Sequence, residues 1–207
     1  MRVQAIDMGQ IRQQAIEAVA AIEDADLAIT QALAHQRHRP EVRHAGWLSE
    51  AADQPPLVAL STAVIVGGLV ARQPAMARTG ARMLAAHALA TAIKTAIKRS
   101  VDRTRPDHAL VAGYRMERGD SDTHELSSFP SGHTAGAVAV AEAVAADAPV
   151  LAAPMRLLAA GVGIVQVPRC KHYVSDVVVG AAIGWAAQRI VAGFERKLET
   201  WIQPRRG

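Results

Sequence analysis

The sequence is short of the residues that staple or decorate a fold. Cys170 is the single cysteine among 207 residues, so no intrachain disulfide can form. It stands between Arg169 and Lys171, which leaves two readings, a thiol activated by cations or an inert buried one. There is no Cys-x-x-Cys pair and no His-Glu-x-x-His stretch, so neither a metal site nor a cofactor is expected. Aromatic residues make up only 3% of the chain. No helix-turn-helix, zinc-finger or aromatic-plus-basic strand accompanies the net charge of +4, so nucleic acid is not an expected partner. An anionic substrate or an anionic membrane leaflet suits that charge better. Residues 1–35 carry Asp7, Glu17, Glu23, Asp24 and Asp26 without an apolar core, so no cleaved secretory signal is expected.

What the chain has is alanine. Half of its residues are apolar, many of them alanine, the strongest helix former, and β-branched runs are short. An all-α chain follows, long enough for one domain with its own core. Over residues 4–34, Ile11, Ala15, Ala18, Ile22, Ala25, Ile29 and Leu33 recur at helical spacing. This predicts an amphipathic helix that either lies on a membrane surface or packs on the rest of the fold. The basic stretch His35, Arg37, His38, Arg39, Pro40, Arg43 and His44 reads as a turn and a link. Pro55-Pro56 opens a charge-free stretch over 55–71, at the short limit of a membrane span. Further helices are expected over 80–98, 133–147, 155–168 and 174–192, and the non-periodic 99–132 reads as a functional loop. The expected architecture is a helical bundle of about five core helices plus an N-terminal amphipathic helix, associated with a membrane. Residues 1–50 form the N-terminal helix and linker, 51–195 the core and 196–207 a basic tail. Ala/Gly-rich helices pack closely in bilayers, and the isolated Lys94 and Glu142 suit a bundle interior. Arginines at both helix ends leave the orientation open.

Three clusters carry chemistry. The first, Lys98-Arg99-Ser100-Val101-Asp102-Arg103-Thr104-Arg105-Pro106, brings Lys and Arg together as a phosphate requires, although a basic helix end alone looks the same. The second, Phe129-Pro130-Ser131-Gly132-His133, precedes an apolar helix. Ser131 is placed as its N-cap, Gly132 permits close backbone approach, and the helix start attracts an anion. His133 in the first turn can protonate a leaving oxygen. The third, His172-Tyr173-Val174-Ser175-Asp176, sets a histidine and a carboxylate four residues apart on one helix face. A carboxylate on one ring nitrogen frees the other to attack. Helices 133–147 and 155–168 form an antiparallel pair. The second and third clusters therefore fall at one end of the bundle, and the helix ending at Lys98 brings the first there too.

In this order the clusters resemble the type 2 phosphatidic acid phosphatase and vanadium haloperoxidase superfamily, whose pattern is Lys-x6-Arg-Pro, Pro-Ser-Gly-His and Ser-Arg-x5-His-x3-Asp. Lys98 to Arg105-Pro106 match the first part, Pro130-Ser131-Gly132-His133 the second, and His172-x3-Asp176 the end of the third. The resemblance covers about residues 57–192. It implies metal-free phosphoryl transfer, with His172 as nucleophile, Asp176 as its orienting partner and His133 as general acid. Lys98, Arg105, Ser131 and the Gly132 backbone would hold the phosphoryl oxygens. One position departs from the pattern: Gln166 stands where the third-motif arginine belongs, with Val165 before it. Arg169, about one helical turn on, is the expected substitute cation. The implied function is a metal-independent phosphatase acting through a phosphohistidine on a lipid phosphate or prenyl pyrophosphate, in a membrane of the bacterial inner-membrane type. The alternatives are a soluble cytoplasmic acid phosphatase of the same superfamily, and a catalytically weak phosphate- or lipid-binding homologue because of Gln166. The pocket is shared with vanadate-dependent haloperoxidases, whose chains are much longer. The sequence implies no particular oligomeric state.

Overall fold

The computed structural model describes residues 8–121 and 123–202. Among the described residues, eight α-helices follow in order: α1 Met8–Leu33, α2 Pro40–Ser49, α3 Gln54–Val70, α4 Pro74–Lys98, α5 Pro106–Ala112, α6 Gly132–Asp147, α7 Ala152–Gln166 and α8 Val174–Ile202. Five of them, α3, α4, α6, α7 and α8, pack into a bundle, as expected from the sequence. Helix α6 is its axis, with α4, α7 and α8 against it, and Ala135, Ala139, Val140, Ala141 and Ala143 fully enclosed. Alanine and glycine make this closeness possible. A Cβ on Gly184 of α8 would lie 2.4 Å from the Ala135 carbonyl oxygen, so the α6–α8 contact tolerates no side chain there.

Several boundaries differ from the sequence expectation. Part of the supposed linker is helical: Pro40 opens α2, where its fixed φ fits a first turn, and Glu41 complements the helix dipole. Helix α4 begins six residues earlier than periodicity indicated, again at a proline, Pro74. Helix α8 runs to Ile202, past the last apolar repeat, because Glu195, Arg196, Lys197 and Glu199 favour helix without patterning it. The 99–132 segment holds α5 and a two-stranded antiparallel ladder, β1 Asp102–Arg103 with β2 Met116–Glu117. The expected helical residues 4–7 and the tail's Arg205 and Arg206 lie outside the described residues.

Among the described residues, two helical segments are long and apolar enough to cross a membrane, Pro149–Gln166 and Val174–Trp201. The pair Pro40–Ala52 and Gln54–Val70, bent by 54°, adds a third if its arms form one span. Their outer faces are bare: Leu157, Leu158 and Ile164 on α7, and Val178, Trp185, Ile190 and Phe194 on α8, are all more than half exposed.

Candidate active site

The three sequence clusters meet at one end of the bundle around a cavity of about 380 Å³. Lys98 comes from the last turn of α4, Arg105 from the start of α5, Gly132 and His133 from the start of α6, and His172 from the loop before α8. Gln166 and Arg169 line the same cavity, as do Lys94, Lys171, His124, Glu50 and Asp53.

His172 is 3% exposed, and its tautomer follows from its partner. Nδ1 lies 2.8 Å from the carbonyl oxygen of Ser128, which can only accept, so Nδ1 carries the proton and Nε2 keeps its lone pair. Burial pulls the imidazole down to about 4, against the opposing pull of Asp176, so the ring is neutral at physiological pH.

Asp176 is not the direct hydrogen-bond partner that the spacing suggested. Its Oδ2 is 3.6 Å from His172 Nδ1, a distance for electrostatics rather than for a hydrogen bond. The carboxylate instead accepts the Ser128 hydroxyl at 2.6 Å and the Tyr173 N–H at 2.9 Å, and Arg103 at 2.5 Å on its other oxygen. The Tyr173 bond closes the N-terminal turn of α8 as a capping carboxylate does. Asp176 thus holds Ser128, and the carbonyl of Ser128 holds His172.

Lys98 and Arg105 differ from Arg103 in what they touch. Lys98 Nζ donates to the Ser127 carbonyl at 2.5 Å. Arg105 donates to the carbonyls of His124 at 2.8 Å, Ser127 at 3.3 Å and Lys171 at 3.4 Å. All are neutral acceptors, so both charges remain available to an anion. Burial, and then Arg105, pull Lys98 down to about 8. Ser131 caps α6 as expected, accepting the Thr134 N–H at 3.4 Å. It is fully buried, however, and Gly132 rather than Ser131 lines the cavity. The glycine gives room to a cation: a Cβ there would lie 2.9 Å from Lys94 Nζ.

Gln166, where the sequence departs from the pattern, has Arg169 beside it. Gln166 is 1% exposed, and its amide donates to Ser49 Oγ and the Val162 carbonyl, both at 3.1 Å. Arg169 crosses above it, donating to Ser49 Oγ at 2.9 Å and to Glu50 Oε1 at 2.6 Å. A Cβ on Gly46 would lie 2.7 Å from Arg169 Nε, so α2 presents a glycine where the arginine passes. The other carboxylate oxygen of Glu50 is 3.3 Å from His133 Nε2. Ligand atoms of Glu50, Asp53 and His133 lie within 4.8 Å of one another, but Glu50 is already engaged by Arg169 and His133.

The pattern of the PAP2 superfamily matches residues 79–198, more than half of the chain. The chain belongs to the PAP2 superfamily. PAP2 phosphatases are phosphoester hydrolases. Among solved structures, the chain resembles a transmembrane PAP2-type phosphatidylglycerolphosphate phosphatase from Bacillus subtilis, with TM-score 0.66 and 23% identity over 90% of both chains. It also resembles LpxE from Aquifex aeolicus, with TM-score 0.60 and 19% identity over 81% of this chain and 94% of that one. A search of curated proteins finds no match.

Five cavity residues were not singled out as site residues from the PAP2 pattern: Lys94, Lys171, His124, Glu50 and Asp53. Lys94 left a signal, standing four residues before Lys98 on the same helical face. Glu50 and Asp53 follow α2, whose helical character the sequence hid. Cys170 is fully buried, and burial raises its thiol, so the inert reading holds.

Proposed function

We propose that this PAP2 protein is a metal-independent, membrane-embedded phosphatase that removes phosphate from a lipid phosphate or prenyl pyrophosphate through a phosphohistidine. The observation that carries the reading is His172, a neutral imidazole with Nδ1 protonated, lining a cavity with Lys98 and Arg105, whose charges no carboxylate cancels. His172 Nε2 attacks phosphorus, the bond to the leaving oxygen breaks, and His133 gives that oxygen a proton. The ring becomes cationic, with Asp176 3.6 Å away as counter-charge. Water then attacks the phosphohistidine, His133 takes the proton from it, and phosphate leaves. Lys98, Arg105, Arg169, Lys94 and the N–H groups at the start of α6 balance the charge developing on the equatorial oxygens. Ser131 contributes by capping that helix start.

A second groove favours a lipid over a soluble ester. A trough of about 440 Å³, lined by Leu48, Leu57, Leu60, Met155 and Leu158 among others, also reaches Ser49, the residue that holds Arg169. A headgroup in the cavity and its tails in the trough would share α2. The bare apolar faces of α7 and α8, and the transmembrane relative from Bacillus subtilis, support a multi-pass membrane protein of the bacterial inner-membrane type. Residues 51–195 then form the catalytic core, with 1–50 and 196–207 flanking it.

The test is phosphate release by detergent-purified protein, with chelator present, from phosphatidate, a prenyl pyrophosphate and a soluble aryl phosphate. Lipid turnover above aryl turnover, lost in His172→Ala, is expected. No release from any of the three, or full turnover by His172→Ala, sinks the reading.

A further inference from the structure

Helix α1 lies outside the bundle, yet it reaches the back of the active site. From Met8 to Ala21 every residue is exposed, and only Asp26 and Thr30 of the helix are buried, each at 3% exposure. A helix that docks by burying a carboxylate needs a charged partner at the contact.

That partner is Arg103, itself 1% exposed. Asp26 Oδ2 accepts Arg103 Nη2 at 2.9 Å and also meets the Ser175 hydroxyl. Its Oδ1 accepts the Ser175 N–H at 3.1 Å, one of the amides at the start of α8 that have no partner within the helix. Arg103 uses its other arm on Asp176 Oδ1 at 2.5 Å and Ser175 Oγ at 2.8 Å. The guanidinium lies 4.2 Å from the Tyr173 ring centroid and 5.6 Å from that of Tyr114. The Tyr114 hydroxyl in turn donates to Glu23 of α1 at 2.8 Å.

The charge of this row decides what His172 feels. Asp26 and Asp176 carry one negative charge each, and Arg103 carries one positive charge. One negative charge is left over, beside an imidazole that becomes cationic when it accepts the phosphoryl group. Without the charge on Asp26, Arg103 and Asp176 cancel and the counter-charge is lost. We propose that Asp26 of α1 is a positioning residue of the active site, acting through Arg103 on Asp176 and from there on His172. The proposal rests on the phosphohistidine reading above. It makes the N-terminal helix part of the catalytic apparatus, although no residue of α1 lines the cavity.

The experiment uses the full chain in detergent, with kcat, KM and melting temperature measured for Asp26→Asn, Asp26→Glu and Ser175→Ala on a short-chain phosphatidate. Glu17→Gln, on the exposed part of α1, is the control. Asp26→Asn is expected to lower kcat per folded molecule by on the order of tenfold, with KM within about twofold. Asp26→Glu should recover most of kcat, and Ser175→Ala should lower it by less, in the same parameter. Glu17→Gln should match the wild type. An unchanged kcat in Asp26→Asn, a loss fully explained by the unfolded fraction, or a change confined to KM would overturn the proposal while leaving the phosphatase reading intact. A wild-type chain that releases no phosphate would overturn both.

Discussion

Replacing Arg169 by alanine separates the two roles that its surroundings allow. The side chain is about one-fifth exposed, and its ion pair with Glu50 involves a carboxylate that is itself 47% exposed. A pair so open to water contributes little to folding, ~0–1 kcal/mol, and a freed Glu50 is solvated. The hydroxyl of Ser49 still receives the Gln166 amide at 3.1 Å, but the buried Gln166 Oε1, which accepts Arg169 Nη1 at 3.4 Å, loses that bond. Stability should therefore fall by ~1–3 kcal/mol, the cost of an unsatisfied buried acceptor. Activity per folded molecule should fall as well, which the melt separates from the loss of fold. A guanidinium hydrogen bond to a phosphoryl oxygen is worth ~1.5–3 kcal/mol, which is roughly 10- to 150-fold in kcat/KM. Arg169→Lys should recover part of the loss, since it keeps the charge but not the fork. Gly46→Ala should reproduce part of it, because its Cβ would push Arg169 Nε from 2.7 Å away. The assay is kcat/KM for phosphatidate beside a thermal melt of the same preparations. If Arg169→Ala keeps full activity while Arg105→Ala abolishes it, Arg169 does not replace the missing third-motif arginine.

Lys98, held down to about 8 by burial, should lose its proton as pH rises through that value, so kcat/KM for a substrate already dianionic falls there. Lys98→Arg should move that basic limb upward, and an unmoved limb would assign it elsewhere. His172, held down to about 4, binds fewer protons folded than unfolded between there and ~6.5. Its contribution to stability is thus full above ~6.5 and is lost as pH falls toward 4, so the melting temperature of His172→Asn should drop less over that range than that of the wild type. Gly184→Ala should lower the melting temperature, by ~1–3 kcal/mol of overpacking against the Ala135 carbonyl, with little change in KM; an unchanged melt would refute the close α6–α8 contact.

The bundle was readable because alanine-rich periodic segments have one stable arrangement, and the site because three motifs open or close helices at one end of it. What escaped was set by partners rather than by pattern. The basic stretch before α2 looked like a link because its charges mask the helix that Pro40 starts. The spacing of His172 and Asp176 places them on one face but cannot say that the Ser128 carbonyl, 44 residues away in sequence, takes the Nδ1 proton. Nor does the periodicity of α1 mark Asp26 as buried, since its neighbours Glu23 and Asp24 look alike in sequence while Asp26 alone reaches Arg103.

Arg103 and Arg105 show how far neighbours alone divide two similar residues. They stand two apart in one segment, and both are buried. Arg103 faces Asp26 and Asp176, and its charge is spent within the protein. Arg105 faces carbonyls, and its charge is open to the cavity. The cavity also holds Lys94, Lys98, Arg169 and Lys171, of which Lys171 pairs with Asp107 at 3.0 Å. Lys94, Lys98, Arg105 and Arg169, set against Glu50 and Asp53, leave a charge of two positive before the proton that His133 donates is counted. That matches the dianion of a phosphate monoester and exceeds the single charge of a diester. A diester would leave one cation uncompensated in the site, and charge matching then decides which ligand stays. Discrimination between the two follows from this charge balance, so it should weaken when Lys94 or Arg169 is neutralised, even where monoester turnover persists.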